Sequence, residues 1–183
     1  MFIRIKELEL RKIVFDENIP PGIIDLGEDI EQKTPVTVSG RAELIREHRG
    51  SHEVVEDIRL VGKFATQVKV RCARCLEPVG ESVAEDFDLL YRPMGVDAMS
   101  DESAISLADT EIGYYQGEGL LLEDVLKEQL LLALPVKQIC SAECKGLCPH
   151  CGVNLNVESC DCVQIVSDPR WAALEDIRKK LER

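Results

Sequence analysis

The alternation of apolar and polar positions predicts a first half built mainly of strands. Phe2, Arg4 and Lys6 alternate with Ile3 and Ile5, which predicts a short strand over residues 2–10. Asn18-Ile-Pro-Pro-Gly22 carries turn chemistry, and residues 27–35 read as an acidic connector. From Val36 the period is two: Val36, Val38, Ala42 and Leu44 take one face, and Thr37, Ser39, Arg41 and Glu43 take the other. His48-Arg-Gly-Ser-His52 predicts a turn into a second strand ending near Val61. Phe64, Thr66, Val68 and Val70 then alternate with Ala65, Gln67, Lys69 and Arg71, so a third strand delivers the chain to Cys72-Ala-Arg-Cys75. Beyond Pro78 and Gly80, Val83, Glu85, Phe87, Leu89 and Tyr91 share a parity opposite to Asp86 and Asp88, which predicts a fourth strand. Short links between such strands favour an antiparallel meander or a partly closed β-barrel.

The pattern is lost between Tyr91 and Gly119, where residues 97–109, with Asp101 and Glu102, read as a solvated acidic loop. Residues 120–134 recover a helical period through Leu122, Val125, Leu126, Gln129, Leu130 and Ala133, and Pro135 closes it. Leu121 and Leu132 widen the apolar stripe, so a long helix packing across the sheet is expected. In the tail, Ser167 and Asp168 are N-cap candidates and Pro169 the first helical residue. Trp171, Leu174, Ile177 and Leu181 then form the stripe of a C-terminal helix, suited to core packing or to docking on a partner, with Arg170, Arg178, Lys179, Lys180 and Arg183 as its basic surface. The class is therefore α+β. Residues 1–135 form a sheet body with its packing helix at 120–134, and residues 136–183 form a Cys-rich lobe with a C-terminal helix.

Composition changes this picture in two ways. The chain has 183 residues, 45% hydrophobic, enough for one core with a small appendage. Its net charge of -12 looks hostile to nucleic acid, but residues 81–134 hold 13 acidic and two basic groups and so carry -11 of it. Residues 1–80 hold 13 basic and 14 acidic groups, and residues 135–183 seven of each. Repulsion is local. Charges interrupt every apolar run at the N-terminus, so no signal peptide can be drawn. The apolar segment 120–134 is too short to span a bilayer and contains Glu123, Asp124, Lys127 and Glu128. A cytoplasmic protein without a membrane partner is expected, and in that compartment thiols stay reduced.

The candidate chemistry is sulfur. Six of the eight cysteines, Cys140, Cys144, Cys148, Cys151, Cys160 and Cys162, fall in the run CSAECKGLCPHCGVNLNVESCDC. Cys148-Pro-His-Cys151-Gly152 has the spacing of a metal knuckle, in which two thiolates converge on one ion and a glycine permits the turn that follows. Cys160-Asp-Cys162 supplies the second pair of a structural zinc site. The other two cysteines, Cys72 and Cys75, lie between strands, whereas thioredoxin-like redox chemistry would want a strand-to-helix junction. With Cys140 and Cys144 they make a second four-ligand set. One ion drawn from Cys144, Cys148, Cys151 and either Cys160 or Cys162 stays open, so the expected cofactor is one structural zinc ion or two. Four sulfurs close the shell and leave no place for water, which points away from catalysis. Such a site contributes on the order of 10 kcal/mol of folding free energy. Iron is the rival metal, disfavoured because the sequence holds no second Cys-Pro-x-Cys-Gly. His48, His52 and His150 read as exposed polar residues.

No phosphate-cradling loop, nucleophile elbow or His-Glu-x-x-His helix is present, so no catalytic residue and no small-molecule substrate are assigned. Taken together, Cys72-Ala-Arg-Cys75-Leu76-Glu77-Pro78, the leucine helix leading into Leu134-Pro135, Cys144-Lys-Gly-Leu-Cys-Pro-His-Cys-Gly152 with Asn154-Leu-Asn156, and Asp168-Pro-Arg-Trp171 resemble the YceD family, the large ribosomal RNA subunit accumulation proteins. The resemblance runs from about Val36 to the end. It implies a bacterial, non-enzymatic ribosome-biogenesis factor supporting synthesis, processing or stability of large-subunit ribosomal RNA, with the first cysteine pair as the wider hallmark. Lys69, Arg71 and Arg74 are the candidate RNA-binding residues, on a sheet face beside the Cys72 turn. Aromatic content of 4% argues against base readout by stacking. The alternative partner is a basic ribosomal protein or assembly factor gripped by the acidic middle section, with rRNA affected only indirectly.

Overall fold

The structure, a computed structural model, describes residues 1–49, 53–96 and 112–162. The acidic loop expected over residues 97–109, the centre of the turn through His52, and the C-terminal helix with Trp171 all lie outside the described residues. Eight strands and two helices are described: β1 (Phe2–Arg4), α1 (Ile5–Leu8), β2 (Ile13–Ile19), β3 (Ile30–Gln32), β4 (Val36–Arg49), β5 (Glu53–Arg71), β6 (Pro78–Pro93), β7 (Ile112–Tyr115), β8 (Gly119–Leu121) and α2 (Leu122–Ala133).

Three long neighbours, β4, β5 and β6, carry the architecture. They sit in a six-stranded sheet of order β2-β4-β5-β6-β7, with β3 pairing β5 beside β4, while β1 and β8 make a separate two-stranded ribbon. The large sheet is open, not the partly closed barrel considered from sequence. Nor is it a simple meander, because β7 joins β6 in parallel. The alternation seen in the sequence sets the faces: Val36, Val38 and Ala42 on β4, Ile58, Leu60, Phe64 and Val68 on β5, and Val83, Phe87 and Tyr91 on β6 are all buried. The core lies against this one face.

Several boundaries differ from expectation, each for a physical reason. Residues 2–10 are not one strand, because the ribbon ends at Arg4 and α1 begins at Ile5. β2 was not expected; its outward Val14, Asp16 and Asn18 hid the buried Phe15 and Ile19 that make it an edge strand. The connector 27–35 contains β3, whose Glu31 faces Lys69 in the register. The two strands expected on either side of Gly62 are one 19-residue strand, β5. α2 spans 12 residues, not the long helix expected over 120–134. Gly119, Leu120 and Leu121 pair instead with Arg4, Ile3 and Phe2, and Leu134 is already extended ahead of Pro135. α2 buries Leu122, Val125, Leu126 and Leu130 in the main core.

Gly62 does not break β5; it lets strands meet. Phe15, Gly40, Gly62 and Phe87 form one row across β2, β4, β5 and β6. A Cβ on Gly62 would sit 2.6 Å from the Ser39 carbonyl oxygen and 2.8 Å from Cζ of Phe87, so the ring covers the space a side chain would fill. At the far end, Arg92 lies buried between strands, its guanidinium donating to Asp57 Oδ1 at 3.2 Å and Oδ2 at 2.9 Å and to Glu47 Oε2 at 2.8 Å. Gly62→Ala is expected to cost about 1–3 kcal/mol through overpacking, whereas Gly80→Ala, whose Cβ meets nothing within 4 Å, should stay within about 0.5 kcal/mol of the parent. Urea unfolding of the two variants checks this, and equal stability would sink it.

Candidate metal centre

Where β5 ends and β6 begins, the six-residue link 72–77 folds into a knuckle. The Leu76 N–H donates to the Cys72 carbonyl at 3.0 Å, and the Cys72 N–H to the Glu77 carbonyl at 2.9 Å. The same two bonds recur one turn type later in the chain: Gly152 N–H to the Cys148 carbonyl at 2.9 Å, and Cys148 N–H to the Val153 carbonyl at 2.8 Å. In both, the residue after the second cysteine is left-handed, Leu76 at φ 62° and Gly152 at φ 74°. A second knuckle therefore exists, although the sequence hides it by placing leucine where glycine is favoured. The left-handed backbone costs a leucine about 1–2 kcal/mol, so something nearby holds it there.

The sulfurs gather in two groups. Sγ atoms of Cys72, Cys75, Cys140 and Cys144 lie within 4.8 Å of one another, and so do those of Cys148, Cys151, Cys160 and Cys162. The two knuckles thus belong to different groups, and Cys144 sits with the first, so the mixed set containing Cys144 and Cys148 is not the one brought together. Bonds of about 2.3 Å from a tetrahedral zinc ion to sulfur place the sulfurs about 3.8 Å apart. The first group has Cys72–Cys144 at 3.9 Å and Cys75–Cys140 at 3.7 Å. A disulfide would need about 2.05 Å, and all eight cysteines are free thiols. The donor set therefore fits an ion held by four sulfurs, with no histidine in either group.

Backbone and side-chain donors are aimed at these sulfurs. The N–H groups of Arg74 and Cys140 each lie 3.4 Å from Cys72 Sγ, and Asn156 Nδ2 lies 3.4 Å from Cys144 Sγ. Backbone hydrogen bonds from Cys75, Arg74 and Cys140 bring the Cys72 thiol down to about 6 against its burial. The N–H groups of Cys151 and His150 bring Cys148 down to about 6. Cys144 is lowered chiefly by the Asn156 amide. Crowding does the reverse to their neighbours. Against a lowering backbone hydrogen bond from Glu77, burial and the sulfurs of Cys72, Cys144 and Cys140 push Cys75 up to about 12. Cys151 and burial push Cys162 up to about 12. Each group thus mixes thiols that are lowered with thiols that are raised, and a divalent cation relieves the resistance of the raised ones.

The groups are knit to each other and to the sheet. The Ala73 N–H donates to the Gln138 carbonyl at 2.7 Å, which brings the chain leaving α2 back to the knuckle. Arg74 reaches the carbonyls of Ala142 at 3.2 Å and Cys144 at 2.9 Å, and its own carbonyl accepts the Leu147 N–H at 3.0 Å. Arg74, expected to face RNA, thus helps hold the first group together. Of the other two expected RNA contacts, Lys69 is exposed on β5, and Arg71 is exposed with Nε 3.2 Å from Asp29 Oδ1. Asn156 was missed as a functional residue. Only the short Asn154-Leu-Asn156 run advertised it, and its partner Cys144 lies 12 positions upstream. Among the described residues no helix is long and apolar enough to cross a membrane.

A family model described as large ribosomal RNA subunit accumulation protein YceD matches residues 60–178. A relative in Arabidopsis thaliana, named large ribosomal RNA subunit accumulation protein YCED homolog 1, chloroplastic, is 26% identical over 177 residues, which is 85% of this chain and 52% of the relative. An uncharacterized protein of Mycobacterium tuberculosis strain H37Rv is 33% identical over 124 residues, 68% of this chain and 57% of the relative. The uncharacterized protein YlbN of Bacillus subtilis is 25% identical over 179 residues, covering 97% of this chain and 94% of the relative. The chain thus spans about half the length of the first two of these. No solved structure matches it.

The two left-handed positions make opposite forecasts. Leu76→Gly should stabilise the chain by about 1 kcal/mol, and Gly152→Leu should destabilise it by about 1–2 kcal/mol. Denaturant unfolding with metal supplied decides it, and loss of stability in Leu76→Gly would overturn the account of the first knuckle.

Proposed function

Because the chain belongs to the YceD family of large ribosomal RNA subunit accumulation proteins, we propose that it supports the accumulation of large-subunit ribosomal RNA as a non-enzymatic cytoplasmic factor whose Cys-rich lobe is fastened by two structural zinc ions. The observation that carries the metal half is the sulfur spacing, 3.7 and 3.9 Å in the first group. Bound zinc would supply a closed, redox-inert cross-link, and the residues do the rest. Cys72 and Cys75 present sulfur from the sheet, Cys140 and Cys144 from the segment after α2, and Cys148, Cys151, Cys160 and Cys162 close residues 148–162 on themselves. Sulfur-only shells leave no position for substrate or water, which supports the non-enzymatic role.

For contact with rRNA, the proposed residues are Lys69 and Arg71, exposed at the end of β5 next to the first knuckle. Arg71 is shared with an exposed Asp29, a pair that salt and a phosphate can both displace. Arg74 is exposed as well and is proposed with them, its guanidinium held at the knuckle by the carbonyls of Ala142 and Cys144. The second reading, an acidic adaptor for a basic ribosomal protein or assembly factor, is favoured by one observation: residues 78–91 of β6 contain no lysine or arginine but carry Glu81, Glu85, Asp86 and Asp88.

Metal analysis of the purified chain is expected to give two zinc ions, falling to one in Cys75→Ser and to one in Cys151→Ser. Two ions retained in either variant, or iron in place of zinc, would overturn the assignment. Lys69→Glu with Arg71→Glu is expected to weaken binding to large-subunit rRNA fragments at least tenfold at low salt with unfolding unchanged. Equal binding by that variant removes the RNA face, and binding that requires a basic protein favours the adaptor.

A further inference from the structure

Among the described residues, β6 is paired on one side only for most of its length. β5 lines it from Pro78 to Tyr91, but on the opposite flank β7 joins at Leu90–Pro93 alone. Among the described residues, positions 78–89 therefore present an open edge of backbone donors and acceptors. Alternation puts Glu81 and Glu85 on the side of the core and α2, and Asp86 and Asp88 on the outer side. Asp88 is engaged by Arg59 at 2.6 Å and Glu81 accepts from Gln138 at 2.8 Å, whereas Glu85 and Asp86 make no ion pair among the described residues.

α2 stands beside the β7 end of β6. Glu128 lies 3.5 Å from the Tyr91 hydroxyl, and a cleft lined by Tyr91, Tyr114, Leu121, Asp124 and Glu128 lies where β7 meets β6, just past the open edge. Leu131 and Leu132 follow Glu128 by one helical turn and are 41% and 72% exposed.

We propose that this edge takes an extended, basic segment of a partner protein as an added strand. The added strand satisfies the open backbone groups of residues 78–89, and the lysines or arginines on its α2-facing side meet Glu85 and, toward the β7 end, Glu128. The same acidic edge repels a second copy of itself, which selects a cationic guest over self-pairing. The proposal rests on the adaptor reading of the acidic middle section and names how the adaptor binds.

The test uses the full metal-loaded chain and a labelled 12-residue peptide alternating lysine and valine, with two further peptides N-methylated at alternate positions of opposite parity. The unmodified peptide is expected to bind and to slow amide exchange at residues 81–89. One N-methylated parity should bind at least tenfold more weakly than the other, because only one parity turns its N–H groups to the edge. Glu85→Lys with Glu128→Lys should weaken binding at least tenfold with the circular dichroism spectrum unchanged. Equal binding of both N-methylated peptides, or protection outside 81–89, overturns strand addition and leaves the adaptor reading standing. No binding by any of the peptides overturns both.

Discussion

From residue 136 to residue 162 the only buried side chains are Cys144 and Cys148. A segment of that length with no buried aliphatic or aromatic residue cannot hold its shape by apolar burial, whose yield scales with the area removed from water. What orders it is sulfur. Cys72, Cys75 and Cys144 form a small buried cluster of their own, with Val79 as the one apolar neighbour packed on it. The four-sulfur group spans up to 72 sequence positions, from the hairpin end of β5 and β6 to the chain leaving α2. The path of the chain after α2 depends on that closure.

The two sulfur groups differ in what they close. The first ties distant parts of the chain and has three of its four cysteines buried, whereas in the second only Cys148 is buried. A long closed loop restrains the unfolded chain more than a short one, so an ion in the first group acts on the whole fold and one in the second on its own loop. They are not independent. Asn156 stands in the loop between Cys151 and Cys160, yet its amide nitrogen lies on Cys144 Sγ and its side-chain oxygen accepts the Lys145 N–H at 2.8 Å. Order in the second group is thereby transmitted to a sulfur of the first.

Much of this was legible in the sequence, because the spacing of cysteines and the parity of β4 and β6 are properties of the chain itself. What was illegible has a common cause: a neighbour, not the local residue, decided the conformation. Leu76 is left-handed because the knuckle around Cys72 and Cys75 requires it. Gly62 reads as a break because its reason, the ring of Phe87, lies 25 positions away on another strand. Gly119 and its two followers carry helical leucines, but Phe2–Arg4 recruits them into a ribbon. Arg74 is an exposed cation, but nothing local announces that it also reaches the carbonyls of Ala142 and Cys144.

The geometry of β6 joins these themes. One end begins at Pro78, directly after the Cys72 knuckle, and the other ends beside Arg92, buried against Asp57 at 2.9 Å. A strand anchored at both ends by groups that are expensive to disturb is stiff between them. Stiffness bears on recognition, because a preformed edge spares one partner the ordering cost of association and leaves it only to the guest. The acidic residues on β6 lie on the span between those two anchors, where no cation of its own strand competes. Sulfur at one end of the strand and a buried ion pair at the other thus set the shape of the surface on which charge can act.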